Sequence, residues 1–161
     1  METIITIATV LTMYFNAAND VNAPYLYNAD LENGVIHNIE VYDQKPGNQL
    51  EAKMVYHYDY DEQGRLTTRE VSRWDSKTKR WVSDLRHTYK YYKNGYNVET
   101  CHFNTTTGTY DLPEEVTLYR TVSPSVTSVK TYRMNETKDD MYMSNKMLVM
   151  EPIDHRLLAT N

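Results

Sequence analysis

The stretch YDYDEQGRLTTREVSRWDSKTKRW (residues 58–81) is followed by YKYYKNGYNVETCHFNTTTGTY (residues 89–110), and the second restates the first. Tyr58, Tyr60, Gly64, Trp74 and Trp81 recur as Tyr89, Tyr91, Gly95, Phe103 and Tyr110, 31 residues on as far as the glycine and 29 beyond it. An internal repeat of that period is one supersecondary unit copied. Within it the residues alternate. Met54, Tyr56, Tyr58 and Tyr60 share one side of an extended chain, with Val55, His57 and Asp59 on the other; Trp81, Leu85, His87, Tyr89 and Tyr91 likewise oppose Asp84, Arg86 and Lys90. One face is an aromatic ladder. The other is charged and cannot be buried under a second sheet without leaving those groups unpaired.

Turn residues punctuate the rest of the chain: Asn33-Gly34, Lys45 to Asn48, Asp61 to Gly64, Asp75 to Lys77, Lys93 to Gly95, Thr105 to Gly108 and Ser123 to Ser125. Each supplies Gly, Pro, Asn or Asp, which accept turn dihedrals. The stretches between favour Tyr, Val, Thr and Trp, residues of a pleated surface. Short turns force consecutive strands to pair antiparallel, so the expected fold is all-β, a single up-and-down meander of about seven strands. Each repeat of about 30 residues is one hairpin, clearest over 54–84 and 85–115, in a twisted or curled open sheet. Met134, Met141, Met143, Met147 and Met150 fall in a C-terminal segment read as covering the sheet edge or gripping another chain.

The 161 residues fit one domain, but 15 Tyr stand against 2 Phe, and the mean hydropathy is −0.69. Much of the apolar content is therefore ring with a hydroxyl that wants a partner. A net charge of −5 with scattered Lys and Arg provides no basic field for nucleic acid or an anionic membrane. Ile4 to Phe15 form an apolar run too short to span a bilayer, followed by the small residues of Asn16-Ala17-Ala18-Asn19. Residues 1–18 are read as a secretory signal, with a buried first strand as the alternative, and 19–161 as the β-repeat domain. No Cys follows the run, so the expected product is exported to the periplasm or outside the cell and is not a lipoprotein. Cys101 is the lone thiol, read as a small packed strand residue with no disulfide.

Tyr58 to Thr67 resemble the Tyr-x-Tyr-Asp-x-x-Gly-x-Leu-Thr core of YD (Rhs-type) repeats. The fuller unit, with Trp74 and Trp81 flanking a turn and Tyr89 opening the next strand, is more similar to the tyrosine-rich repeats of small exported proteins from gut Bacteroidales. Those are grouped as a family of unknown function. The resemblance covers about residues 50–120, and implies an antiparallel β-repeat fold and export but no activity.

No constellation reaches a catalytic or cofactor signature. Asp59, Asp61 and Glu62 are three carboxylates close together in sequence, and glycoside hydrolysis needs two, but at a hairpin they are read as turn chemistry. His57, His87 and His102 lie on separate strands without ligand spacing and are read as solvated or stacked rather than as a metal site. Aromatics are the stronger candidates. Trp74 and Trp81 bracket one turn and Phe103 and Tyr110 the next, so these four rings either pin hairpin register or contact a ligand. Tyr58, Tyr60, Tyr89 and Tyr91 of the ladder complete the candidate surface. The chain is thus expected to be a non-enzymatic exported protein that binds a glycan or protein partner through aromatic residues, without cofactor, with edge-mediated self-association open to it. A structural or assembly module related to YD-repeat arrays is the main alternative, and a glycoside hydrolase-like enzyme a distant one.

Overall fold

The computed structural model describes residues 4–20 and 22–150. A helix, α1 (Ile7–Ala18), precedes ten strands: β1 (Tyr25–Glu32), β2 (Val35–Lys45), β3 (Gln49–Tyr60), β4 (Leu66–Asp75), β5 (Arg80–Tyr92), β6 (Gly95–Asn104), β7 (Thr109–Tyr110), β8 (Glu115–Ser123), β9 (Val126–Met134) and β10 (Met141–Met150). All pair antiparallel in one sheet of order β1-β2-β3-β4-β5-β6-β8-β9-β10, with β7 beside β6. The path ends at β1 and β10, so the sheet is an open meander and not a barrel.

The count exceeds the expected seven at both ends and in the middle. Asn33 and Gly34, with φ of +51° and +81°, make a two-residue turn that supports β1 as well as β2. Past β9 a turn without Gly or Pro escapes notice in the sequence: Asn135 Oδ1 accepts the amides of Asp139 and Asp140 at 3.1 and 3.4 Å, and Lys138 takes φ +59°. That turn launches β10, which covers the edge of β9 along Met141–Met150. β7 and β8 share one edge of a single strand: β6 pairs with β7 at Phe103 and Asn104, and with β8 from Gly95 to Thr100. The break at Asp111-Leu112-Pro113 divides what would be one long partner.

Six of the eight ladders on the main path carry a register shift, and each inserts a residue that bends and twists its strand. One of them corrects the alternation read from sequence. Val71 pairs with Leu85 but Ser72 with Ser83 and Trp74 with Trp81, so Asp84 is the extra residue. Trp81 consequently lies with Trp74 on the charged face, opposite Leu85, His87, Tyr89 and Tyr91.

The core sits at one end of the tyrosine face, where Ile36, Ile39, Tyr58 and Leu66 pack with Val10 of α1. The segment read as an address is therefore a helix lying on the sheet, and the alternative of a buried strand does not describe it. Its start follows from local chemistry: Thr6 caps the helix, and Thr6 and Thr9 exchange backbone–hydroxyl bonds in a capping box. Leu66 N donates to Ile5 O and Ile7 N to Gly64 O, at 2.8 and 3.0 Å, which tethers α1 to the β3–β4 turn. Val10, 3% exposed, is its most buried residue. Among the described residues no helix is long and apolar enough to cross a membrane.

Candidate functional site

The eight aromatic candidates divide between the two faces. On the charged face Trp74 and Trp81 meet edge to face, centroids 5.1 Å apart at 67°, and Phe103 and Tyr110 do the same at 5.2 Å and 77°. Both are directly opposed cross-strand pairs beside the two turns, the placement from which rings hold a hairpin in register. The Arg86 guanidinium covers Tyr110 at 4.2 Å. Rings packed edge to face in this way do not form a coplanar platform.

On the opposite face the four ladder tyrosines have two kinds of job. Tyr60 donates its hydroxyl to Ile36 O at 2.9 Å, and Tyr91 donates to Leu66 O and Ile5 O, at 2.8 and 3.0 Å; these hydroxyls are committed to backbone carbonyls. Tyr58 and Tyr89 instead wall a cavity of about 280 Å³ between α1 and the sheet. Tyr27, Tyr56, Leu66 and Arg69 complete its floor, while Val10, Met13, Tyr14 and Ala17 roof it. Burial pushes the Tyr58 phenol up to about 12, with nearby Arg69 opposing the shift, and raises Tyr89 in the same way. These phenols are neutral donors. None of the hydroxyls of Tyr27, Tyr58 and Tyr89 bonds another described residue, whereas Tyr56 is turned onto Met54 Sδ at 3.0 Å.

Arg69 was not singled out in the sequence, although it stands between Leu66 and Val71 at a position the alternation assigns to the aromatic face. Its guanidinium lies 4.9 Å from the Tyr56 ring centre, and its buried Nε has no hydrogen-bond partner. Four of the other arginines have carboxylates: Arg65 meets Asp61 at 2.7 Å, Arg133 meets Glu115 at 2.9 Å, Arg73 meets Asp84, and Arg86, whose buried Nε likewise has no hydrogen-bond partner, faces Glu70 at 4.0 Å. Among the described residues Arg69 has no carboxylate within ion-pair distance.

The remaining candidates are scattered. Asp61 accepts the amides of Gln63 and Arg65 at 3.0 and 2.9 Å and the Arg65 Nε at 2.8 Å, the turn role expected of it. The Arg65 side chain holds its carboxyl below the usual range. His57 contacts Asn38 at 2.7 Å on the charged face. His87 sits on the tyrosine face against Thr100 Oγ1 at 3.1 Å, and burial, reinforced by Arg69, lowers its pKa. Cys101 is buried and free, and burial raises its thiol pKa. A wider depression of about 430 Å³ beside the β7–β8 loop is bounded by polar groups that pair with each other, His102 with Glu114 at 3.2 Å and Asn104 with Asp111 at 3.1 Å.

A single open meander with a tyrosine-lined cavity is thus the class of protein these features define. The chain belongs to a family of unknown function, DUF3836, whose pattern matches residues 1–121. Two crystal structures are similar. A protein with unknown function from Bacteroides fragilis shares the fold with a TM-score of 0.70 at 21% identity, over 78% of this chain and 91% of that one. A DUF3836 family protein from Bacteroides vulgatus gives 0.57 at 28% identity, over 59% of this chain and 97% of the other. No curated protein matches. The expected membership in a family of unknown function with Bacteroidales relatives is borne out; the likeness to YD repeats remains one of residues 58–67.

Proposed function

We propose that this chain is a non-enzymatic exported protein that binds a glycan, one sugar residue of which enters the tyrosine cavity. The observation that supports this most is the wall of that cavity. Tyr27, Tyr58 and Tyr89 give it apolar ring surface together with hydroxyls that have no partner among the described residues. A sugar has the matching form, an apolar C–H face for stacking and a rim of hydroxyls for hydrogen bonds. On this reading, release of residues 1–18 during export lifts the roof, and the floor carried by the sheet remains. A glycan-array screen of the protein recovered from its producing cells tests the proposal. Specific hits lost in Tyr58→Ala with Tyr89→Ala, but kept in Trp74→Ala with Trp81→Ala, are expected; a folded protein without hits refutes it.

The assembly reading draws on a separate observation. Among the described residues the outer edge of strand β10 has no partner, its Met143, Met147, Leu148, Val149 and Met150 are exposed, and such an edge is a template for another strand.

A further inference from the structure

We infer that the sugar taken by the tyrosine cavity carries a carboxylate, and that Arg69 is its anchor. The inference rests on the glycan reading above and adds the charge. A guanidinium held among rings loses hydration, and it is stable there only with compensation from a counter-charge or hydrogen bonds. The described part of the chain supplies neither to the Arg69 Nε; the Tyr56 ring, 4.9 Å away, provides only cation–π attraction.

The neighbours on the same face sharpen the point. Arg73 and Arg133, at comparable positions on β4 and β9, are each met by an acid, Asp84 and Glu115. His87, across the β4–β5 ladder from Arg69, has its pKa lowered and adds no negative charge. Arg69 is therefore the one arginine at the cavity, and its five-donor fork fits a carboxylate in bidentate fashion. With the ligand carboxylate on Arg69, the ring lies against Tyr58 and Tyr89 and its hydroxyls reach theirs. A uronic acid has this combination of one apolar face, several hydroxyls and one carboxylate; a neutral hexose leaves the guanidinium uncompensated.

The test uses the protein recovered from its producing cells, labelled with nitrogen-15, titrated with glucuronate and galacturonate and, in parallel, with glucose and galactose. The Arg69 Nε–H resonance is the reporter, identified by its loss in Arg69→Gln. The acids are expected to bind about tenfold more tightly than the neutral sugars, the worth of one charge-assisted contact, and to move that resonance. In Arg69→Gln the ratio of acid to neutral affinity falls towards one. Should that variant fail to fold, raising the salt concentration on the native chain is expected to shrink the same ratio. Acid and neutral sugars binding equally well would overturn the carboxylate while leaving the glycan reading in place. No binding of either, with an unmoved Arg69 resonance, would overturn both.

Discussion

Gly95 and Tyr119 meet backbone to backbone across the β6–β8 ladder: a β-carbon on Gly95 would stand 1.9 Å from the Tyr119 carbonyl oxygen. The glycine also holds φ at +147°, a conformation L-residues rarely adopt. Two further contacts gather around this point. Tyr96 stacks on Tyr119 with centroids 4.5 Å apart and rings 9° from parallel, and Arg120 donates to the carbonyls of Tyr96 and Tyr119 at 3.0 and 2.7 Å.

Gly95→Ala therefore forces β8 away from β6 and strains the turn. We expect a loss of about 3 kcal/mol, read from urea unfolding. An unchanged midpoint would mean that β8 gives way freely.

The Trp74–Trp81 pair is expected to act on the hairpin itself. A double-mutant cycle through the two alanine variants should return a coupling of about 1 kcal/mol in stability. Because both rings lie on the charged face, their emission should stay constant when a ligand enters the tyrosine cavity.

His87 gives the fold a dependence on acid. Its folded pKa is lowered from 6.5, so below that value the unfolded chain binds more protons and stability falls as pH drops towards the folded pKa. Above 6.5 the contribution is complete. Comparing urea midpoints of the native chain and His87→Gln between pH 7.5 and about 5 should show a steeper decline in the native chain; parallel curves would contradict it.

Asp61 should act in a separate range. Its carboxyl is lowered from 3.8 by the Arg65 side chain and by the Arg65 and Gln63 amides, so its stabilisation is complete above 3.8 and is lost as pH falls through the folded value. Asp61→Asn is expected to be less stable than the native chain at pH 7 and to converge with it in strong acid. A difference that persists unchanged at pH 2 would sink the assignment.

Replacing Met147 and Leu148 by Lys places charge on the open edge. If β10 joins a second copy, sedimentation velocity should show the native chain associating and this variant monomeric. Identical sedimentation of both would remove the edge as a contact.

The meander was legible because its signals are local. Asn33-Gly34, Asp61 to Gly64 and Gly95 announce turns by residue type, and Tyr at every second position announces strands. What escaped were features set by pairing. No residue type marks the extra Asp84 of the β4–β5 ladder, yet it places Trp81 and Leu85 on opposite faces. The turn at Asn135–Asp140 works through one side-chain oxygen and not through Gly or Pro. α1 was legible as an apolar run, but its lie across Tyr58 depends on contacts with strands far away in the chain. Arg69 could have been noticed as a charge in an aromatic row; that it has no carboxylate partner is visible only in three dimensions.

The inserted residues carry a consequence for how such chains grow. A strand is a two-beat rhythm, and one added residue shifts its phase, so everything beyond it changes sides. In a sheet where most neighbouring strands are offset in this way, copying part of a hairpin would turn its rings outward and its charges inward. Only duplication in whole units keeps the rhythm, and the two copies of the tyrosine motif keep it differently: the β3–β4 hairpin carries an inserted residue and the β5–β6 hairpin carries none.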